Sequence, residues 1–214
     1  MATIINRYRP VVQPRLPAAP TEYSSEFIEQ YSNILRLYFN QLDNLTGVVL
    51  GESGGRFIRF PYGAFSSDQD QTATVNTATL MTFNTTDFAN EVSISSSQIT
   101  VVNAGIYNLQ FSVQFQNTDT AFQDVYIWLR QNGVDIPGST GFVSIPNRHA
   151  GTDGHSIIGW NYFLNMAAGD YIEIYWSVPI AAVTIQHLAA SGTPTKPSTQ
   201  SVVATLSFVS ALST

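Results

Sequence analysis

The residues best suited to chemistry fall in one short run. His149, Asp153 and His155 lie within NRHAGTDGH, a stretch that also contains two glycines. Two imidazoles and a carboxylate are ligands that a transition metal accepts. Their spacing matches no standard zinc motif, and an exposed loop with incidental polar residues explains the run more simply. We therefore predict no metal and no cofactor.

Other catalytic patterns are missing from the sequence. It has no Gly-x-Ser-x-Gly and no cysteine, and the glycine run at 51–55 lacks the Lys-Ser/Thr of a phosphate-binding loop. Glycan cleavage needs two carboxylates in a cleft, and no pair stands out among the acids. The sequence predicts a protein that is not an enzyme. A trimeric glycan-cleaving enzyme remains the weakest alternative.

Two segments are candidates for contact with an external ligand. Residues 117–124 and 147–155 are polar, and binding residues concentrate on loops carried by a rigid scaffold. The candidate residues are Asp119, Asp124, Arg148, His149, Asp153 and His155.

The composition predicts an all-β scaffold for these loops. Charged residues make up 11% of the chain, yet 69 of its 214 residues are Ser, Thr, Asn or Gln. Threonine suits a pleated, half-wet surface, and 12% aromatic residues are too many for a disordered chain. The absence of cysteine excludes disulfides and agrees with assembly in a reducing cytoplasm. No signal segment or long apolar window is found, so we expect no membrane insertion.

Charge divides the chain into parts with different roles. Residues 1–20 contain Arg7, Arg9 and Arg15 and no acid, whereas residues 62–214 contain ten acids and three basic residues. An acidic body repels phosphate, so nucleic acid is not an expected partner.

Four segments follow in order: an extended arm at 1–20, a helix at 21–46, a glycine-rich linker at 47–60 and a β domain at 61–214. Four prolines in the arm favour a polyproline-like conformation, and its apolar and basic residues indicate an anchor that orders on another protein. The predicted attachment residues are Arg7, Tyr8, Arg9, Val11, Val12, Arg15 and Leu16.

The predicted helix has Thr21 as its N-cap and Gly47 as its stop. Its apolar residues are spaced as a heptad seam, which allows either a bundle around a threefold axis or packing into a partner. The seam consists of Ile28, Tyr31, Leu35, Tyr38, Leu42 and Leu45.

The β domain is predicted to be a sandwich or jelly roll. Residues 107–115 alternate apolar and polar side chains, and 125–130 precede the turn signal Asn132-Gly133. Short strands follow one another without a helix between them, which is typical of this class.

Residues 81–111 carry a more specific pattern. An Asp, two apolar anchors and then Gly-x-Tyr-x-apolar-x-aromatic follow at fixed spacing, and Ala168-Gly169-Asp170 comes before a later strand. The pattern resembles the signature of complement-one-q globular heads, which belong to the tumour-necrosis-factor-like jelly rolls. The signature positions are Met81, Asp87, Val92, Ile99, Gly105, Tyr107, Leu109 and Phe111.

This resemblance implies a homotrimer around an axis lined by one sheet. Several strands carry large residues on both faces, as such burial requires. The predicted trimer or core aromatics are Tyr107, Phe111, Tyr126, Trp128 and Tyr175.

The arm, the helix LRLYFNQLDN, the linker and PYGAF together resemble small virion proteins of tailed bacteriophages. The resemblance implies a trimer whose arm and helix attach to capsid, portal or tail proteins and whose jelly roll projects as a capsid decoration or a fibre head. Host-surface glycan is then a further possible partner. The alternative from another class is a lectin-like adhesion module unrelated to virions.

Overall fold

The computed structural model describes residues 11–50 and 60–212. They form antiparallel sheets in a sandwich-like arrangement and one helix, which confirms the predicted all-β jelly-roll class with a single helix. The chain divides between Arg59 and Phe60 into two compact units. The linker at 47–60 lies mostly outside the described residues.

The helix α1 spans Ser25–Leu50. Ser24 caps it, because its Oγ accepts a hydrogen bond from the backbone N–H of Phe27 at 3.2 Å. The helix thus begins four residues after the predicted cap Thr21, and it continues past Gly47, which costs about 1 kcal/mol relative to alanine but does not end a helix. Among the described residues, no helix is long and apolar enough to cross a membrane.

The apolar seam of α1 is only partly covered. Ile28 is exposed, and the remaining five seam residues are half-buried. Val11, Pro14 and Pro17 of the arm are half-buried at every third position, which is the repeat of a polyproline helix. Val12, Arg15 and Leu16 are exposed, whereas Arg7, Tyr8 and Arg9 lie outside the described residues.

The second unit contains two seven-stranded sheets and a small two-stranded one. Period-two burial along most of the long strands separates a dry face from a wetter one. The strands are β1 (Tyr62–Ser67), β2 (Gln71–Thr72), β3 (Thr79–Leu80), β4 (Thr85–Asn90), β5 (Val92–Ser95), β6 (Gln98–Val101), β7 (Gly105–Asn117), β8 (Gln123–Gln131), β9 (Val134–Asp135), β10 (Gly141–Ile145), β11 (Gly154–Met166), β12 (Tyr171–Ser177), β13 (Val183–Ile185), β14 (Ser191–Gly192), β15 (Thr195–Lys196) and β16 (Val202–Ser210).

The first sheet is built around β7. Its strand order is β2-β13-β7-β16-β1-β4, and β11 pairs with β7 along the whole of both strands. Since β16 and β13 share the other edge of β7, β11 is an edge strand of this sheet. The second sheet has the order β10-β8-β12-β6-β5, with β3 beside β12 and β9 beside β8.

The core lies between the two sheets. Tyr107, Leu109 and Phe115 of β7 are fully buried, and Trp176 of β12 packs against Phe115 with ring centroids 5.7 Å apart. Of the eight signature positions, Asp87 is exposed and the other seven are buried. The signature therefore describes core packing around β7 rather than a site.

One glycine permits a close contact between the sheets. A Cβ at Gly141 of β10 would lie 1.7 Å from the indole of Trp160 in β11, so only glycine leaves room for that ring. Trp160 also stacks on Phe111, with centroids 6.1 Å apart.

Candidate functional site

The two predicted contact loops lie side by side at one end of the sandwich. The backbone N–H of Arg148 donates to the carbonyl of Asp119 at 2.6 Å. Asn117 fastens both loops, because its side-chain amide donates to the carbonyls of Ala121 and Pro146 at 2.9 and 3.1 Å. The two loops therefore form one polar rim.

Internal contacts occupy the carboxylates of this rim. Asp119 accepts hydrogen bonds from the N–H of Thr120 and the amide of Gln123, at 2.6 and 2.7 Å. Asp153 accepts from Gln116 at 2.7 Å and lies 3.3 Å from the Nε of Arg148. Both acids are thus used to shape their own loops.

The other predicted contact residues do not form a cluster. His149 pairs through its backbone with Thr152. Asp124 lies on β8 and accepts a hydrogen bond from Ser144, whereas His155 is exposed at the start of β11. Across residues 11–50 and 60–212, no group of three or more His, Asp or Glu side chains is placed to hold a metal ion.

A larger feature is the outward side of the first sheet, here named the uncharged face. It consists of the outward-pointing side chains of β7, β11 and β16. These strands contain 13, 13 and 9 residues, and none of those residues is Asp, Glu, Lys or Arg. A wet protein surface of this extent normally carries charge, so the absence of charge here marks the face as unusual.

Register fixes the pattern of the uncharged face. Asn161 pairs with Gln110, and Gln110 pairs with Thr205, so amides and a hydroxyl form one row across three strands. The next row combines Phe163 with Asn108 and Ser207. The Oδ1 of Asn108 is buried and accepts no hydrogen bond within the described chain.

The edge of this face is apolar and open. Ile157 and Phe163 of β11 are 70% and 61% exposed. The free edge of β11 also presents backbone N–H and C=O groups without a strand partner in the described part of the chain. Exposed apolar side chains beside an unpaired edge are the usual features of a surface that another chain covers.

The outward side of the second sheet differs in chemistry. Phe142 of β10 lies directly opposite Tyr126 of β8, with ring centroids 6.0 Å apart. One step along β8, Trp128 lies opposite Tyr175 of β12, with centroids 5.9 Å apart. We name these four residues, with Arg130 beyond them, the aromatic strip.

Asp135 fixes one end of the aromatic strip. Its Oδ1 accepts hydrogen bonds from the Nε1 of Trp128 at 2.8 Å and from the Nε of Arg130 at 2.9 Å. The guanidinium of Arg130 also lies 4.0 Å from the ring centre of Tyr175. The bond from Arg130, then that from Trp128, holds the pKa of Asp135 below its ordinary value, so the carboxylate is ionised at neutral pH.

The structure divides the five aromatic residues that the sequence predicted to lie either in the core or at a trimer contact. Tyr107 and Phe111 are buried in the core, but Tyr126, Trp128 and Tyr175 lie on the outer face of the second sheet. Residues 125–130 have large side chains on both faces, and Val125, Ile127 and Leu129 are the ones that point inward. The alternation predicted two faces, but only the pairing of β8 with β12 decides which face meets the core.

In comparisons with known proteins, no family model matches the sequence and no curated protein is similar enough to count as a relative.

Proposed function

We propose that the chain is a trimeric structural protein of a bacteriophage virion. Three sandwiches associate through the uncharged face, and the arm and helix attach the trimer to the particle. The observation that carries the association is the absence of Asp, Glu, Lys and Arg from β7, β11 and β16.

The composition of this face suits burial between proteins. Interface cores are depleted of charged residues, because an unpaired charge removed from water costs several kcal/mol. Side-chain amides and hydroxyls, such as those of Asn161, Gln110 and Thr205, lose less on burial and can pair across a contact. Asn108, whose carbonyl oxygen is buried without a donor, would gain one from a neighbouring copy.

The edge strand supports a second copy of this chain as the occupant. Long unpaired edges invite other strands, and proteins block them with charges, prolines or a covering element. β11 has 13 residues and contains neither a charged side chain nor a proline. A neighbouring sandwich placed against Ile157 and Phe163 would cover the edge and the apolar side chains together.

Three copies follow from the resemblance of residues 81–111 to trimeric jelly rolls. A contact in which the edge of one copy meets the face of the next is heterologous, and such contacts form a ring of three when the rotation between copies is one third of a turn. The strands β8 and β12, which carry large side chains on both faces, lie in the other sheet. The outer side of that sheet carries Arg130, Asp135 and Glu173. We therefore assign the trimer axis to the uncharged face.

Attachment to a particle is the role proposed for residues 1–46. Arg7, Arg9 and Arg15 give the arm a positive charge that suits acidic grooves on a capsid, portal or tail protein. Val12 and Leu16 are exposed apolar residues of the same arm, and Ile28 is an exposed seam residue of α1. Copy number per particle separates a capsid decoration, present many times, from a scarce fibre head.

Light scattering of the purified full-length chain tests the association. We expect a mass three times that of the 23.5 kDa chain. Gln110→Arg places a charge at the centre of the uncharged face and should produce monomers that keep the circular-dichroism spectrum of the trimer. Ser93→Arg is the matched control, because it adds the same charge to an exposed position of β5 in the other sheet.

A monomeric wild-type chain would refute the proposal, as would a Gln110→Arg chain that remains trimeric. A trimer disrupted equally by Ser93→Arg would move the contact to the second sheet.

A further inference from the structure

The aromatic strip is a second exposed surface, and the proposed trimer does not use it. Phe142 and Tyr126 are 70% and 41% exposed, although large aromatic side chains usually leave water in a folded domain. Along β8, the outward residues Asp124, Tyr126, Trp128 and Arg130 succeed one another over about 20 Å. The strip is therefore long enough for an extended ligand.

Both ends of the surface around the strip are fixed before any ligand arrives. Trp128 and Arg130 are both held by Asp135, and Arg130 is packed on the ring of Tyr175. At the other end, Ser144 donates to Asp124. Groups that are already immobilised lose little entropy on binding, so a weak, shallow contact can still be specific.

A nearly buried carboxylate adjoins the rings. Glu173 pairs with Arg130 across β8 and β12 and is only 6% exposed, although it belongs to the outward row of the sheet. The amide of Gln98 donates to its Oε1 at 3.1 Å. Excluding an acid from water is costly, and the bond from Gln98 offsets part of that cost while Glu173 adds negative charge beneath the strip.

Charge narrows the class of ligand. At the strip there are three acidic residues, Asp124, Asp135 and Glu173, and one basic residue, Arg130. The whole of residues 62–214 contains ten acids and three basic residues. Nucleic acids stack on aromatic rings too, but they require a positive groove for their phosphates. Acidic sugars meet the same repulsion. Protein interfaces centre on an anchor buried in a pocket, whereas Phe142 and Tyr126 are exposed rings that lie side by side on the sheet.

We propose that the aromatic strip binds a neutral oligosaccharide. The apolar faces of its sugar rings would lie on Tyr126, Phe142 and Trp128, and its hydroxyls would bond the carboxylates of Asp124 and Asp135 and the free N–H groups of Arg130. Along β8 the rings of Tyr126 and Trp128 lie between the polar groups of Asp124 and Arg130, so apolar sugar faces would meet the middle of the strip and hydroxyls its two ends. This inference goes beyond the proposed virion role and does not depend on the trimer.

Titration of the full-length protein with defined oligosaccharides tests the proposal. The probes are maltohexaose, cellohexaose and chitohexaose, with hexagalacturonate and oligo-dT as charged comparisons. Trp128 should report binding through tryptophan fluorescence, because Trp176 is buried in the core and Trp160 packs against the core on Phe111. We expect at least one neutral hexasaccharide to change the fluorescence at millimolar concentration and the two charged probes to have no effect.

Variants locate the contact. Tyr126→Ala and Phe142→Ala should each weaken binding by about tenfold, which corresponds to the loss of one aromatic contact. Tyr126→Phe keeps the ring and should bind within a factor of about two of the wild type. Phe88→Ala is the matched control, because Phe88 is 62% exposed on β4 of the other sheet.

Three results would overturn the proposal: no response to any neutral hexasaccharide, tighter binding of hexagalacturonate or oligo-dT, and unchanged binding by both alanine variants. A lack of response to every neutral hexasaccharide would favour a protein as the ligand of the strip. None of them bears on the oligomeric state, so a failure here is distinct from a failure of the trimer.

Discussion

At the scale of single residues, Asp170 does the most to order the turns at one end of the sandwich. Its carboxylate accepts hydrogen bonds from the N–H of Ala167 at 2.8 Å, from Gln131 at 2.9 Å and from Asn132 at 2.8 Å. Two turns that are distant in sequence, at 131–133 and 167–170, are thereby held together.

We expect Asp170→Ala to lower the free energy of unfolding by about 1–3 kcal/mol, since three donors lose their acceptor. The midpoint of urea unfolding at pH 7 measures the change. Asp68→Ala is the control, because Asp68 accepts hydrogen bonds from only two side chains, those of Gln69 and Asn84. An equal loss in both variants would contradict a special role for Asp170.

Asp170 also predicts a pH dependence. The hydrogen bond from Asn132 is the largest cause that holds the pKa of Asp170 below the ordinary value of 3.8. A lowered pKa in the folded state means that the contribution is complete above the unfolded value and is lost as pH falls through the folded one. The stability difference between wild type and Asp170→Ala should therefore shrink below pH 3.8.

At the scale of elements, the contact of β10 with β11 depends on Gly141. Gly141→Ala would force the indole of Trp160 to move, because the added Cβ would lie 1.7 Å from it. Overpacking of this kind costs about 1–3 kcal/mol, so the thermal midpoint should fall by several degrees. Gly159→Ala is the matched control on β11, since its nearest neighbour would be 3.9 Å away. A midpoint unchanged in Gly141→Ala would show that Trp160 can move freely.

Single elements were also where the sequence was most informative. The alternation along residues 107–115 predicted the buried and exposed sides of β7, because period two is visible without knowing the partners. Asn132 and Gly133 were predicted to turn, and both have positive φ, at 51° and 78°. Each of these features depends on neighbours in sequence alone.

Features that depend on long-range pairing could not be predicted in the same way. Trp128 and Trp176 both sit in strands among apolar residues, yet one faces outward and the other is fully buried. Only the register between β8 and β12 separates them. The predicted helix start was wrong for a different reason. The sequence favoured Thr21 as the cap, but the oxygen that accepts the bond from a free N–H is the Oγ of Ser24.

At the scale of the whole molecule, the two units should have separable roles. A chain that lacks residues 1–20 should still form trimers, because the uncharged face lies wholly within Phe60–Thr214. It should no longer enter particles, since the arm supplies the contacts proposed for attachment. Light scattering and quantification of the protein in purified virions measure the two properties. Normal incorporation of the shortened chain would contradict the anchoring role.

The uncharged face has a consequence for the environments in which the protein works. Ions in solution weaken contacts between charges over a Debye length of about 8 Å at physiological ionic strength, but they have nothing to screen where no charge exists. The trimer should hold together equally well in fresh water, in cytoplasm and in seawater. Attachment through the three arginines of the arm should weaken as salt rises. The same chain would then combine a proposed trimer contact that does not depend on salt with a proposed attachment contact that weakens as salt rises.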